Sequence, residues 1–142
     1  MATVYLSLGS NLGDKRRNIR RAIKKIGEQI GDVVRQSALY DTEPWGFESE
    51  NTFVNAAVCV ETTLEPHDLL ATTQAIEREM GRKRKSKNGI YHDRVIDIDI
   101  LLYDDLTIDT PDLRIPHPLM YERDFVMVPL KEILDEGEVK RS

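Results

Sequence analysis

Asp97 and Asp99 interleave with Ile96, Ile98 and Ile100. On a strand this alternation sends both carboxylates out of one face and the isoleucines into a core on the other. Neighbouring carboxylates repel, and one takes up a proton unless a cation lies between them. Magnesium suits such a pair, because it favours oxygen ligands and is often held by one or two carboxylates together with substrate phosphates. An Asp-x-Asp pair also fits the polar outer face of a sheet, although aspartate is a poor strand former and needs a reason to be there. Just upstream, Arg82, Arg84 and Arg94 bracket a basic stretch. Guanidinium forks grip phosphate oxygens in pairs. Phosphoryl transfer calls for this combination, in which metal and guanidinium offset charge on the moving group while the protein positions it.

Other residues have a chemical and a plainer reading side by side. Gln74 and Glu77 stand three apart on one helix face, suited to a nucleotide site or to ordinary surface, and helical spacing alone favours surface. Phe53 and Asn55 share a strand face. An aromatic plane beside an amide suits a flat heterocycle with donors and acceptors; an ordinary packed aromatic is the plainer reading. Trp45 and Phe125 are the other aromatics with functional potential. His117 sits between Pro116 and Pro118, held in a turn from which it could donate to a phosphate, whereas His67 and His92 read as loop surface. The stretch Gly9-Ser10-Asn11-Leu12-Gly13-Asp14-Lys15 has three residues between its glycines and no Gly-Lys-Ser/Thr ending, which excludes a Walker A loop.

These residues need a scaffold, and the periodicity supplies one. Residues 3–8 alternate, with Val4, Leu6 and Leu8 on one face of a half-buried strand. A turn over residues 9–14, with Asn11 or Asp14 as cap, opens a helix carrying Ile19, Ala22, Ile23, Ile26 and Ile30, and Gly31 is its expected stop. Residues 32–40 are a weaker strand, and residues 41–51 a loop. Residues 53–62 are a clear strand, with Val54, Ala56, Val58 and Val60 opposite Phe53, Asn55, Ala57 and Cys59. Pro66 starts a second helix with Leu69, Leu70, Thr73, Ile76 and Met80 as its buried stripe. Residues 82–93 read as a long mobile loop, residues 95–103 as the last strong strand, and about residues 122–134 as a terminal helix. The order βαββαβ predicts an α+β, ferredoxin-like split βαβ fold, an antiparallel sheet with helices packed on one face.

The chain has 142 residues, 40% hydrophobic and 32% charged, which suits one domain over residues 1–142 with a single sizeable core. Apolar runs reach only four or five residues, too short for a membrane span, and the N-terminus lacks a basic leader, so a cytoplasmic protein is expected. Cys59 alone makes neither an internal disulfide nor a zinc cage. Net charge is −5, yet seven of the 20 Lys and Arg lie within residues 15–25 and five within residues 82–87. The acidic balance argues against a nucleic-acid binder. Local basic windows fit a small polyanion such as a nucleoside triphosphate, or a solvated surface.

The chain resembles 6-hydroxymethyl-7,8-dihydropterin pyrophosphokinase of folate biosynthesis. Matching stretches run in order over about residues 3–134: Gly9-Ser10-Asn11-Leu12-Gly13, Thr42-Glu43-Pro44-Trp45-Gly46, Phe53-Val54-Asn55-Ala56-Ala57, Gln74 and Glu77 before Gly81-Arg82-Lys83-Arg84, Arg94-Val95-Ile96-Asp97-Ile98-Asp99-Ile100-Leu101, and Pro116-His117-Pro118 with Arg123 and Phe125. The resemblance implies attack of the pterin hydroxymethyl on the β-phosphorus of ATP, with release of AMP. It implies that Asp97 and Asp99 hold two magnesium ions and act with Arg82, Arg84 and Arg94 in catalysis. Those arginines, with Gln74, Glu77, His117 and Arg123, would surround ATP, and Ile100 would lie near the adenine. The pterin is expected between Phe53 and Phe125, with Asn55 on its edge and Thr42, Pro44 and Trp45 adding contacts. Relatives often carry Trp-Gly-Pro before the arginine matching Arg94, where this chain has Tyr91-His92-Asp93. A monomer acting on two small substrates, without nucleic-acid or membrane partners, is expected. A non-catalytic ligand-binding or RNA-binding module of the same fold is the rival reading; the strands lack an RNP-like aromatic pattern, and mere ligand binding leaves the shared face of Asp97 and Asp99 unexplained.

Overall fold

The computed structural model describes residues 1–42, 52–81 and 95–134. Strand β1 (Ala2–Ser10) leads into helix α1 (Lys15–Gln29), then β2 (Gly31–Gln36), β3 (Tyr40–Thr42), β4 (Phe53–Thr62), α2 (Pro66–Glu79) and β5 (Asp97–Tyr103). A short hairpin of β6 (Ile108–Asp109) and β7 (Arg114–Ile115), a 3₁₀ turn (Met120–Glu122) and α3 (Asp124–Ile133) complete it. The sheet order is β2-β4-β1-β5, all antiparallel, with β3 also on β4. This is the expected split βαβ arrangement with a hairpin and a third helix added.

Alternation along each strand divides the sheet into two faces. Val4, Leu6 and Leu8, Val54, Ala56, Val58 and Val60, and Ile98 and Ile100 pack with Ile19, Ala22 and Ile26 of α1 and Leu69 and Ile76 of α2. On the other face, Tyr5, Ala57, Cys59 and Leu101 meet Val126, Leu130 and Ile133 of α3. The expectation of helices on one face thus holds for α1 and α2, while α3 covers part of the other. A register shift between Tyr5 and Leu6 in the β1–β5 pairing keeps Leu102 on the α3 side together with Leu101, which follows Asp97 and Asp99 by simple alternation. Beyond Ala57 and Leu101, α3's core gives way to a polar half: Ser7, Gly9, Asn55, Asp97 and Asp99.

Local chemistry moves several boundaries. Gly9 and Ser10 belong to β1 and not to the turn, paired with Asn55 and Val54. The side chain of Asp14, one of the two candidates, caps α1 by accepting from the Arg17 N–H at 3.3 Å. Gly31 is the first residue of β2; a Cβ there would stand 2.0 Å from the Glu61 carbonyl oxygen, so close approach of β4 explains the glycine. The weak strand over residues 32–40 is two strands parted at Ser37. Its N–H donates to the Ala57 carbonyl at 2.9 Å and its hydroxyl accepts from the Ala57 N–H at 2.9 Å, carrying the ladder across the break. The terminal helix divides at Arg123, whose extended backbone separates the 3₁₀ turn from α3. No helix among the described residues is long and apolar enough to cross a membrane.

Candidate active site

Two rows cross the polar half of the sheet. Asn55 on β4, Gly9 on β1 and Asp97 on β5 are register partners, as are Ala57, Ser7 and Asp99 in the next row. Strand spacing of about 4.8 Å puts the backbones of Asn55 and Asp97 roughly 10 Å apart, with bare Gly9 between them. Asp97 and Asp99 are both half-buried, on the face opposite buried Ile96, Ile98 and Ile100, as their alternation predicts. Among the described residues no third His, Cys, Asp or Glu joins them as a metal cage. Two oxygen donors on one strand face, one of which, Asp99, lines a cleft, suit magnesium completed by water and phosphate better than zinc.

Glu77 holds the strand that carries these aspartates. Its Oε2 accepts from the Ile98 N–H at 2.8 Å, and the residue is 2% exposed. β5 is an edge strand, so its outward N–H groups lack a neighbouring strand. The Glu77 carboxylate fills that role at the residue between Asp97 and Asp99. Helical spacing favoured a surface position for Glu77; burial against the strand edge overturns it.

Beside Asp99 lies a cleft of about 460 Å³ between α2, β5 and the β6–β7 hairpin. Leu70, Ile100 and Leu113 give it apolar walls, while Gln74, Asp99 and His117 supply polar groups. The N–H of His117 donates to the Leu101 carbonyl at 3.1 Å, and its Nδ1 accepts from the Leu119 N–H at 3.3 Å. An accepting Nδ1 places the proton of a neutral ring on Nε2, which makes Nε2 the donor. The structure therefore brings Gln74, Asp99, Ile100 and His117 together. Glu77 stands behind β5 and Arg123 lies elsewhere; neither lines this cleft.

Sequence reasoning missed Asp112 and Arg114, which also line the cleft. Asp112 is tied down by the Thr110 hydroxyl at 2.8 Å and by His67 Nε2 at 3.2 Å. The Thr110 bond is the main reason its carboxyl titrates below the ordinary value of 3.8; desolvation opposes it, and the bond to His67 adds to the lowering. The signal available was the turn composition Thr110-Pro111-Asp112 just ahead of Pro116-His117-Pro118.

On the other side of Gly9 stand the residues expected around a heterocycle. Thr42 on β3 is the register partner of Phe53 on β4. Asn55, 2% exposed, donates from Nδ2 to the Thr42 hydroxyl. Thr42 and Phe125 share a second cavity of about 410 Å³. The Arg123 guanidinium lies 5.7 Å from the centre of the Phe125 ring, a cation–π contact. Neighbouring bonds secure this corner. Lys15 Nζ donates to the Thr52 carbonyl and hydroxyl at 3.1 and 3.2 Å, Arg16 pairs with Asp41 at 2.9 Å, and Asn18 Nδ2 donates to Ser10 Oγ and the Leu12 carbonyl at 3.2 and 2.8 Å. Pro44, Trp45, Arg82, Arg84 and Arg94 lie outside the described residues, as do Tyr91, His92 and Asp93.

Comparison with known proteins identifies the family. Residues 5–135 match the family described as 7,8-dihydro-6-hydroxymethylpterin-pyrophosphokinase (HPPK). The chain is similar to the 2-amino-4-hydroxy-6-hydroxymethyldihydropteridine pyrophosphokinase of Porphyromonas gingivalis, 51% identical over 134 residues, covering 94% of this chain and 91% of that protein. The like-named protein of Aquifex aeolicus is 45% identical over 133 residues, covering 94% and 81%. Among solved structures, wild-type Plasmodium falciparum HPPK-DHPS with pterin and p-hydroxybenzoate is similar at a TM-score of 0.74 and 18% identity, over 95% of this chain and 40% of that one. At that identity the likeness concerns the fold alone, and this chain spans about two-fifths of that longer one. This chain belongs to the 7,8-dihydro-6-hydroxymethylpterin-pyrophosphokinase family, whose reaction is pyrophosphoryl transfer from ATP to hydroxymethyldihydropterin in folate biosynthesis.

Proposed function

We propose that the polar half of the sheet face is where this transfer takes place, ATP lying in the cleft beside β5 and the pterin over β4. The observation that carries this reading is the shared row: Asp97 and Asn55 flank Gly9 on a stretch of sheet beside the α3 core that stays polar. Asp97 and Asp99 hold Mg²⁺, two ions in all, which when bound offset charge on the phosphate oxygens. Leu70, Ile100 and Leu113 receive the adenine, Gln74 and His117 Nε2 supply hydrogen bonds to the nucleotide, and Glu77 keeps β5 in place. Arg123 steadies Phe125, and its place around ATP rests on the family resemblance. Phe53 and Phe125 sandwich the pterin, while Asn55, Thr42, Pro44 and Trp45 read its edge. Arg82, Arg84 and Arg94 take the phosphates; their assignment rests on the family resemblance.

The transfer is a displacement at the β-phosphorus. The hydroxymethyl oxygen forms the new bond to phosphorus and releases its proton to water, the bond from that phosphorus to the α–β bridging oxygen breaks, and AMP leaves. A loose transition state asks little of a general base, so the work of the protein is positioning and charge neutralisation. The reading also takes the chain as one domain, monomeric and cytoplasmic; a main sheet with a core on each face and a lone buried cysteine support it. A non-catalytic module has no use for two acids on the face that also carries Asn55, and family membership displaces it.

The test is incubation with ATP, Mg²⁺ and the pterin alcohol, followed by nucleotide separation. AMP should form in step with pterin diphosphate. Asp99→Asn should lower kcat by about 10²-fold or more, as loss of a group acting mainly in the transition state does. ADP as product, or an Asp99→Asn enzyme of normal rate, would overturn the proposal.

A further inference from the structure

Gly9 has no side chain to offer the reaction, yet its position is specific. It separates Asn55 from Asp97 in one row of the sheet. Its φ is not positive, so conformation does not demand glycine there. Space does. A Cβ on Gly9 would stand 2.9 Å from Asn55 Oδ1 and 3.5 Å from Phe53 Cδ1. The ring contact would be ordinary van der Waals packing; the amide contact would be too short. The bare Cα of Gly9 is therefore the seat of the Asn55 carboxamide oxygen. At its other end the same carboxamide donates from Nδ2 to Thr42. Asn55 is 2% exposed, so a displaced carboxamide has no solvent to swing into.

We propose that Gly9 is a positioning residue for pterin recognition, acting through Asn55: the missing side chain lets the carboxamide lie across β1 with its oxygen and nitrogen ends fixed. This rests on the reading that Asn55 hydrogen-bonds the pterin. Any side chain at position 9 turns the carboxamide and misplaces its donor and acceptor. The crowded atom is a side-chain terminus and not backbone, so Gly9→Ala keeps the sheet and moves the amide.

The test is a double-mutant cycle read by calorimetry, titrating the pterin alcohol and, separately, a magnesium-bound non-hydrolysable ATP analogue. Gly9→Ala should bind the pterin about tenfold more weakly, the scale of one misplaced hydrogen bond, with affinity for the ATP analogue unchanged within about twofold. In steady state the KM for pterin should rise while kcat at saturation holds. In an Asn55→Ala background, where the obstructing oxygen is gone, adding Gly9→Ala should change pterin affinity by less than about twofold. An equal loss in both backgrounds, a loss for both ligands, normal pterin binding by Gly9→Ala, or failure of that variant to fold would overturn the proposal. Pterin binding unchanged by Asn55→Ala alone would instead overturn the assignment of Asn55, and the role of Gly9 with it.

Discussion

At the level of single residues, the site depends on hydrogen bonds that hold polar side chains in one orientation. Asn55 has its nitrogen on Thr42, His117 has its Nδ1 on a backbone N–H, and Asp112 has its oxygen on the Thr110 hydroxyl. Only the last is coupled to a titration that the structure resolves. The folded carboxyl of Asp112 titrates below 3.8, chiefly through Thr110. Its contribution to stability is complete above that ordinary value and disappears as pH falls through the lowered one. Asp112 is well exposed, so solvent screens the effect and the titration, more than the stability, is the quantity to measure. Carboxyl NMR titration should place the wild-type midpoint below 3.8 and move it upward in Thr110→Val, with His67→Ala giving the smaller shift. An unchanged midpoint in Thr110→Val would show that the hydroxyl is not the cause.

At the level of elements, β5 illustrates how an edge strand can carry a pair of aspartates without fraying. The Ile98 N–H points away from β1 and finds Glu77 Oε2 at 2.8 Å. Removing a buried charged acceptor leaves that N–H unsatisfied, at a cost of about 2 kcal/mol. Glu77→Ala should therefore lose about that much in chemical denaturation and speed amide exchange at Ile98, whereas Glu77→Gln, which keeps a carbonyl oxygen, should stay within about 1 kcal/mol of wild type. Equal stability of the two variants would sink this account. The example also marks the reach of sequence reasoning. Alternation in Val4, Leu6 and Leu8, in residues 53–60 and around Asp97 and Asp99 revealed the main strands and their inward faces, because one buried face imposes a period of two. Burial of Glu77 left no pattern, since its partner is a backbone N–H 21 residues away. The two-residue strands β6 and β7 are too short for any period, which hid Asp112 and Arg114. Gly9 read as part of a turn because glycine is the usual turn residue, whereas here it makes room within a strand.

At the level of the whole molecule, the sheet stands between the basic window of α1 and the two aspartates of β5. The basic window of α1 invites assignment to a phosphate site, yet α1 packs against the face opposite Asp97 and Asp99. Arg17, Arg20, Arg21 and Lys24 are exposed on its outer side. A helix packed on a sheet puts these charges about 10 Å or more from anything on the far face, at or beyond the screening length of about 8 Å at physiological salt. They are therefore a solvated surface that keeps an acidic chain from being uniformly negative, and they do not guide ATP at close range. Replacing Arg20, Arg21 and Lys24 together by Gln should leave kcat/KM for ATP within about twofold at physiological ionic strength, with a larger change only in dilute buffer where the screening length reaches about 30 Å. A tenfold loss at physiological salt would mean that the nucleotide reaches its site along the α1 face, and the assignment of ATP to the cleft beside β5 would have to be redrawn.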